Sequence, residues 1–399
     1  MSLPSLIFSL LYLYLVGSIF FDIAHYLLHQ WSTSQWKLLR TLSQWHQYHH
    51  LYYNRSLKFN ARYKLQNAWI ALPLEMFCQV LGSILGWAFI QGFLVSEALD
   101  SRPLYLIVII QVVRTLVVIA MSGQDSNHIA YDTVPKDPHA ILVGPQFHAL
   151  HHVHPEKYMS SMVKLFDWFA GTAYSLRNKR VVMTGGSGAY GQAIEKQLHG
   201  EKVRSVQKLQ YGRDWTHDDF SKTSSLLEQA DILILAHGSK GPDAMASNCT
   251  SSIQLARRFI ESKTKTGEGR KTLPEIWYVG SEIEVHPAWG IPTLQRYSAS
   301  KRAFLPFARA LYDDPRVVYR HIVPAAFESS MGKAIVSPEW AASVTMWWIR
   351  RGAMYVPVTY TGLACLNFFK FIYWVRPSRD GLEGKDTVKI EKELEVESL

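Results

Sequence analysis

Three histidine clusters fall early in the chain: His25 and His29 in HYLLH, His46, His49 and His50 in HQYHH, and His148, His151 and His152 in HALHH. Residues three and four apart share a helix face, so each cluster offers imidazoles one turn apart. Neutral imidazole is the commonest protein ligand of transition metals. Eight imidazoles exceed the four ligands of a structural zinc and the three of a catalytic one, so two metals sharing the set fit better. With almost no thiolate and few carboxylates nearby, the donor set favours iron, although zinc and copper also take imidazole. The chemistry expected is that of an intramembrane metallo-oxidoreductase.

The elements that position these clusters are apolar. Residues 3–21 are almost wholly apolar, and Asp22 is the only charge in the first 36. A run of about 20 residues crosses the ~30 Å core of a bilayer. No basic n-region or small-residue cleavage site precedes His25, so an uncleaved membrane helix is expected rather than a signal peptide. Further apolar stretches cover residues 69–95, interrupted by Pro73, Glu75 and several glycines, and 104–121, carrying Arg114. Such interruptions suit helices that kink or line a cavity. An all-α membrane bundle with a His-rich di-metal site is expected over residues 1–175.

Composition agrees with a membrane chain. Eleven of the 16 histidines lie at or before His154. The 399 residues and 48% hydrophobic content allow two or three domains with sizeable cores. The net charge of +9 comes from scattered Lys and Arg rather than a basic stripe, so no nucleic-acid partner is expected. Cys78, Cys249 and Cys365 form no CxxC, which argues against a disulfide framework or thiolate zinc and for reducing surroundings.

HYLLH preceded by Asp22, HQYHH, HALHH and the downstream LFDWFAGT (165–172) resemble the sterol desaturase and fatty acid hydroxylase superfamily of membrane di-iron oxygenases. The resemblance implies His128 in SNHIAYD as a further ligand, with Asp132 standing where some members have a second. His139 and His154 fall outside the spacing and are read as structural or solvent-facing. The resemblance also implies O2-dependent hydroxylation or desaturation of a hydrophobic substrate. Electrons would come from a separate donor such as cytochrome b5.

At residue 179 the texture changes. KRVVMTGGSGAYGQAIEKQL runs from a β-branched segment through glycines into a helical pattern, placing backbone N–H groups and a helix N-terminus where a pyrophosphate binds. DILILAHG and EIWYVGSE read as further strands, and YSASK sets Tyr297 and Lys301 one helical turn apart. An ammonium beside a phenol favours phenolate and prepares it for acid–base work. Together these resemble the short-chain dehydrogenase/reductase family over residues 179–350, an α/β Rossmann-like domain with a parallel sheet. That resemblance implies a catalytic set of Ser281, Tyr297, Lys301 and Asn248. Ser281 would hold the substrate oxygen, Tyr297 exchange the proton and Lys301 bind the nicotinamide ribose. It implies Thr184, Gly185, Gly186, Gly188, Gly191 and Gly238 as cofactor-binding residues. Three departures stand out: Ala189 for the middle glycine, AHG (236–238) for NAG, and Ala325 for the glycine after Pro324. The second strand carries no acidic residue for a ribose 2′-OH, and Lys208 suits a 2′-phosphate, so among NAD(P) cofactors NADP is favoured.

Residues 351–375 are expected to form an apolar membrane-associated segment, attached to a lipid surface or closing over a greasy substrate, with Lys370 the only charge in 354–375. The tail, 376–399, alternates charges and reads as disordered. The order of the parts resembles bifunctional sterol desaturase/short-chain dehydrogenase hybrids. It implies an integral membrane enzyme, in the endoplasmic reticulum if eukaryotic, with the soluble domain facing the cytosol. Two other readings remain at this point: an oxygenase whose second domain only binds nucleotide, and a His-rich membrane metal transporter or metal-binding protein.

Overall fold

The computed structural model describes residues 2–93, 100–138, 140–265, 273–285 and 291–378. His139, the end of the 69–95 stretch and almost all of the 376–399 tail lie outside the described residues. The chain divides into two compact units, Met1–Ser175 and Leu176–Leu399.

The first unit is helical: α1 (Leu3–Gln30), α2 (Lys37–Tyr52), α3 (Leu72–Phe93), α4 (Arg102–Ala120), α5 (Pro145–Val153) and α6 (Leu165–Ala170). Three segments, Leu3–Thr33, Ala61–Phe93 and Arg102–Ala120, are long and apolar enough to cross a membrane. Pro4 in the first turn and the Ser2 hydroxyl, accepting from the Ser5 N–H at 3.4 Å, start α1. Its buried residues, Leu13, Gly17, Phe21, His25 and Leu28, recur every three to four positions and so share one face. Against that face α3 sets Gly82 and Gly86, where a Cβ would come within 2.4 Å of Phe20 Cβ and 2.8 Å of Val16 Cγ1. Small residues four apart let the backbones approach, the usual device for packing helices without a hydrophobic drive. Gln111 donates to Ser83 at 3.0 Å, and Ser83 to the Leu13 carbonyl at 3.0 Å, so one polar chain ties α4, α3 and α1.

The second unit is a six-stranded, wholly parallel sheet ordered β2-β1-β3-β4-β5-β6. Its strands are β1 (Arg180–Thr184), β2 (Ser205–Leu209), β3 (Ile232–Leu235), β4 (Glu275–Val279), β5 (Val318–Pro324) and β6 (Tyr355–Val358). The helices are α7 (Ala189–Gly200), α8 (Ser224–Gln229), α9 (Ser251–Lys265), α10 (Pro292–Ala303), α11 (Leu305–Asp313), α12 (Pro338–Arg350) and α13 (Leu363–Tyr373). β1, β3 and β4 are buried almost throughout, β1 and β3 as the largely β-branched and aliphatic runs expected when both faces are covered, and β4 with Glu275 satisfied by Arg320 and Trp277. The strand order reverses between β1 and β3, which opens a crevice at their carboxyl ends, the place where doubly wound folds hold nucleotides.

One expectation is corrected here. Residues 351–375 are not a single apolar segment, because β6 pairs with β5 (Val323 beside Pro357) and extends the sheet beyond residue 350. Pro357 is tolerated because β6 is an edge strand. Only α13 remains as a separate apolar helix.

Candidate functional site

The first unit brings all nine predicted histidines together in two groups: His25, His29, His46, His50 and His151, and His49, His128, His148 and His152. In the first group the Nε2 atoms of His25–His29, His29–His46, His46–His50 and His50–His151 are 3.1–3.2 Å apart. In the second, His49–His128, His128–His148, His148–His152 and His49–His152 are 2.9–3.2 Å apart.

The outer nitrogens explain why the Nε2 atoms converge. His25 Nδ1 donates to the Met159 carbonyl at 3.1 Å and His151 Nδ1 to the Lys157 carbonyl at 2.8 Å. His49 Nδ1 lies 3.2 Å from Asn67 Oδ1, and His128 Nδ1 lies 2.7 Å from an Asp125 oxygen. A carbonyl or carboxylate can only accept, so Nδ1 carries the proton and the Nε2 lone pair points inward. Burial pushes His46, His50, His148, His151 and His152 well below the usual imidazole range, and neighbouring imidazoles push further; His49 is lowered by burial as well. Burial alone would raise Asp125, but the hydrogen bonds it accepts from His128 and the Asn127 amide hold it below the ordinary carboxylate range.

Lone pairs aimed at one another repel unless a cation sits between them. Nitrogens bound at about 2.1 Å and at right angles to one another are about 3 Å apart, the spacing found here. The donor set therefore fits two metal ions, one in each group. Both groups border a cavity of about 320 Å³ that is also lined by Glu75, Gln79, Arg114 and Met162.

Sequence reasoning missed the outer partners. Glu75, from α3, lies 3.6 Å from His46 Nδ1 and 3.8 Å from His49 Nδ1, between the two groups. Asn67 sits in a π-type turn (Asn67–Ala71), an irregularity often found at functional sites. LFDWFAGT acts through Asp167, which accepts from the Met159 and Ser160 N–H groups at 2.9 and 2.7 Å and so holds the loop that backs His25. Asp22 takes the Ser161 N–H at 2.8 Å. Asp132 is an exposed partner of Lys58 at 2.6 Å and takes no part in the cluster. His154 caps the end of α5 with its ring beside Tyr158, also outside both groups.

In the second unit a cavity of about 610 Å³ opens at the carboxyl edge of the sheet, bordered by Gly185, Gly188, Gly191, Gly238, Ser281 and Tyr297, with Lys301 behind them. Two glycines have a steric reason. Gly185 has φ +67° and a Cβ there would meet the Ala236 backbone at 2.5 Å, while one at Gly191 would meet the Gly185 carbonyl at 2.2 Å. Ala189 starts α7 without disturbing that turn.

Ser281 follows β4, and Tyr297 and Lys301 share the buried face of α10. The Ser281 hydroxyl hydrogen-bonds Tyr297, which favours phenolate, yet burial prevails and pushes the phenol up to about 12. The phenolate expected beside Lys301 is therefore outweighed by burial. Lys301 Nζ donates to the Val279 carbonyl at 2.8 Å, lies over the Tyr278 ring at 4.8 Å, and is 5.9 Å from the Tyr297 ring. Burial brings Lys301 down to about 8, against the pull of Glu284.

Other predicted residues act from behind the cavity. Asn248, fully buried in a second π-type turn (Ala246–Thr250), bridges the Ser239 N–H, the Ser239 carbonyl and Ser300 at 2.8–2.9 Å. Thr184 does not face the cavity: it is buried, 2.7 Å from His237 Nδ1, so AHG is braced from the sheet. Lys208 lies with its stem across Gly186 and its ammonium 2.9 Å from Glu195, a carboxylate that offsets the charge reserved for a 2′-phosphate. Sequence reasoning also missed Glu284, a buried carboxylate 2.8 Å from His321 Nε2 that accepts the Ser281 N–H at 3.2 Å. Its signal was the pair of carboxylates, Glu282 and Glu284, in the short turn that follows Ser281.

No protein-family model matches the chain. Among curated proteins it is similar to the monoglucosyldiacylglycerol epimerase of Synechocystis sp., with 26% identity over 265 residues covering 58% of this chain and 63% of that protein. The chain thus spans less than two thirds of that relative's length. Among solved structures it is similar to a short-chain dehydrogenase from Burkholderia cenocepacia in complex with NADP, at 15% identity and a TM-score of 0.40, covering 50% of this chain and 95% of that one. A short-chain dehydrogenase from Sphingobium yanoikuyae in complex with NADPH aligns at 15% identity and a TM-score of 0.39, covering 53% and 97%.

Proposed function

We propose that the chain is a membrane oxidoreductase for a lipid-like substrate, with a nicotinamide-dependent alcohol–carbonyl site in the second unit and an iron- and O2-dependent site in the first. The observation that carries this reading is the meeting of Ser281, Tyr297 and Lys301 beside the Gly185–Gly191 turn at the carboxyl edge of a parallel sheet.

NAD(P), with NADP favoured, would supply or accept the hydride. The glycine turn and the start of α7 offer N–H groups to its pyrophosphate. Ser281 holds the substrate oxygen by its hydroxyl, and Tyr297 Oη gives that oxygen a proton on reduction or removes one on oxidation. Lys301, ammonium below about pH 8, serves the ribose hydroxyls. Asn248 keeps the Ser239 loop and the Ser300 turn of α10 in register.

Two irons held by the five- and four-histidine groups would supply O2 reduction and hydrogen removal from an unactivated C–H bond, with electrons from a separate donor such as cytochrome b5. Asp125, Asn67 and the Met159 and Lys157 carbonyls orient the imidazoles for that task. Such outer partners fix ring orientation and raise ligand basicity. Arg114 and Gln79 beside the cluster suit a substrate whose reacting carbon lies near a polar group rather than on a bare hydrocarbon.

A second reading is favoured by the Synechocystis relative's name. Epimerisation at a lipid-borne carbinol would pass its hydride to NAD(P)+ and its hydroxyl proton to Tyr297, giving a carbonyl, and then return both with the hydride delivered to the opposite face, leaving the nicotinamide unchanged overall. The test uses the full chain in lipid nanodiscs with a lipophilic ketone and NADPH, and separately with a glycosyl diacylglycerol and a trace of NAD(P)+. Ketone reduction that is lost in Tyr297→Phe supports the first reading. Inversion of the sugar without net nicotinamide turnover supports the second. Activity unaltered by Tyr297→Phe in both assays overturns the assigned role.

A further inference from the structure

α13 is an 11-residue helix, about 16 Å long at 1.5 Å per residue, and so too short to cross a bilayer core of about 30 Å. One face is committed to the protein through Ala364, Asn367 and Phe371. The opposite face carries Leu366, Phe369 and Tyr373, which are 60, 57 and 76% exposed, and Trp374, 74% exposed, follows at the helix end. Leu366, Phe369 and Tyr373, recurring at three- and four-residue steps, make a continuous stripe rather than scattered exposure. Tyr373 and Trp374 lie together at its end, the residue types that settle at the headgroup level, and Lys370 and Arg376 add cations beside the stripe.

The helix is fastened to the nicotinamide pocket. Glu282, next to Ser281, accepts from the Thr361 hydroxyl at 3.0 and 3.1 Å and from the Ala364 N–H at 3.1 Å, and its carbonyl takes the Asn367 amide at 3.1 Å. Leu363, the first residue of α13, lines the cavity, and so does Met331 from the loop after β5. That loop also exposes Ile335.

We propose that the exposed face of α13 lies on a lipid bilayer, with the apolar rim of the second unit's cavity at the membrane surface, so that the substrate is drawn from the bilayer itself. The substrate side of this inference rests on the nicotinamide reading above; the docking side does not. A bilayer is the occupant the chain selects, because the same polypeptide carries three helices able to cross one and tethers this unit to it. The pairing of an aromatic–aliphatic stripe with flanking cations also matches an anionic lipid surface. The substrate class that follows is a lipid whose reacting carbinol or carbonyl sits at the depth of the headgroup or glycerol.

Cys365 on α13 is exposed, whereas Cys78 and Cys249 are buried, so a thiol-reactive fluorophore reports on this helix in the full chain. The protein is reconstituted in phosphatidylcholine–phosphatidylglycerol vesicles and quenched either by a nitroxide carried on the lipid acyl chain near the glycerol or by aqueous iodide. The expected result is loss of most of the emission with the lipid nitroxide and little with iodide. The pattern should reverse in a Leu366→Asp, Phe369→Asp variant that still binds NADPH. Strong iodide quenching of the unsubstituted chain overturns the proposal, as does protection from both quenchers, which would mean that protein covers the face. NADPH binding is followed in the same samples: its absence would count against the nicotinamide reading while the quenching pattern still decides the docking.

Discussion

The histidine site of the first unit and the glycine-lined pocket of the second are both assembled from segments far apart in sequence, but they depend on different kinds of order. The histidine site gathers identical donors whose inner lone pairs can be reconciled only by a cation, and the orientation comes from backbone carbonyls and acids behind them. The glycine-lined pocket gathers different groups, each with a separate proposed task, and its shape comes from absent side chains at Gly185 and Gly191. The first should fail one ion at a time when an outer partner is lost. The second should lose chemistry without losing its ligand.

The largest effect expected separates those two behaviours. Tyr297→Phe removes the proton-transfer group but leaves the cavity's shape, so carbonyl reduction should fall by roughly 10²–10⁴-fold while the NADPH dissociation constant stays put. A steady-state assay beside a fluorescence titration checks both, and a weakened NADPH affinity would mean the hydroxyl helps to build the pocket. Asp125→Asn should weaken metal binding in the four-histidine group by roughly 10–100-fold and leave the five-histidine group alone. Chelator competition reads this directly, and equal loss from both groups would deny their independence.

A smaller effect concerns the scaffold of the first site. Gly82→Ala sets a Cβ within 2.4 Å of Phe20 Cβ at the α1–α3 contact, and overpacking of this kind costs about 1–3 kcal/mol. Thermal unfolding in detergent should begin at a lower temperature than in the unsubstituted chain. Gly200→Ala, with nothing within 4 Å of the new Cβ, should leave it unchanged or higher. The smallest effect is a pH dependence confined to the second unit. Burial lowers Lys301 to about 8, so it is an ammonium below that pH and neutral above it. NADPH affinity should therefore decline a few-fold as pH rises through about 8, and Lys301→Arg, which stays charged, should flatten the decline. An unchanged slope in Lys301→Arg would remove Lys301 from the ribose contact.

What the sequence revealed follows the same division. Histidines spaced three and four apart announce a shared helix face, and all nine expected ligands meet in two groups because local periodicity decides that face. The backbone carbonyls of Met159 and Lys157 carry no sequence signature at all, and Glu75 is separated from the clusters it serves by an ordinary-looking stretch. In the second unit the strand–glycine–helix order and the Tyr297–Lys301 pair were legible for the same local reason. Three things were not: the burial of Thr184 against His237, the pairing of Lys208 with Glu195, and the rise of Tyr297. Each depends on which face a strand residue takes or on how much solvent is excluded, and both are set by the packing of distant elements. β6 was mistaken for part of a membrane segment because a fully covered strand and an apolar segment have the same composition.

The central claim is that the first unit holds two separate metal sites. Metal stoichiometry of the full-length chain in detergent, read by plasma mass spectrometry, tests it most directly, with NADPH binding to confirm that the second unit is intact. Two iron equivalents are predicted, falling to one in His29→Ala, His50→Ala and to one in His128→Ala, His148→Ala, with the quadruple variant empty. A single equivalent of zinc in the unsubstituted chain, or a stoichiometry indifferent to either pair of substitutions, would contradict it.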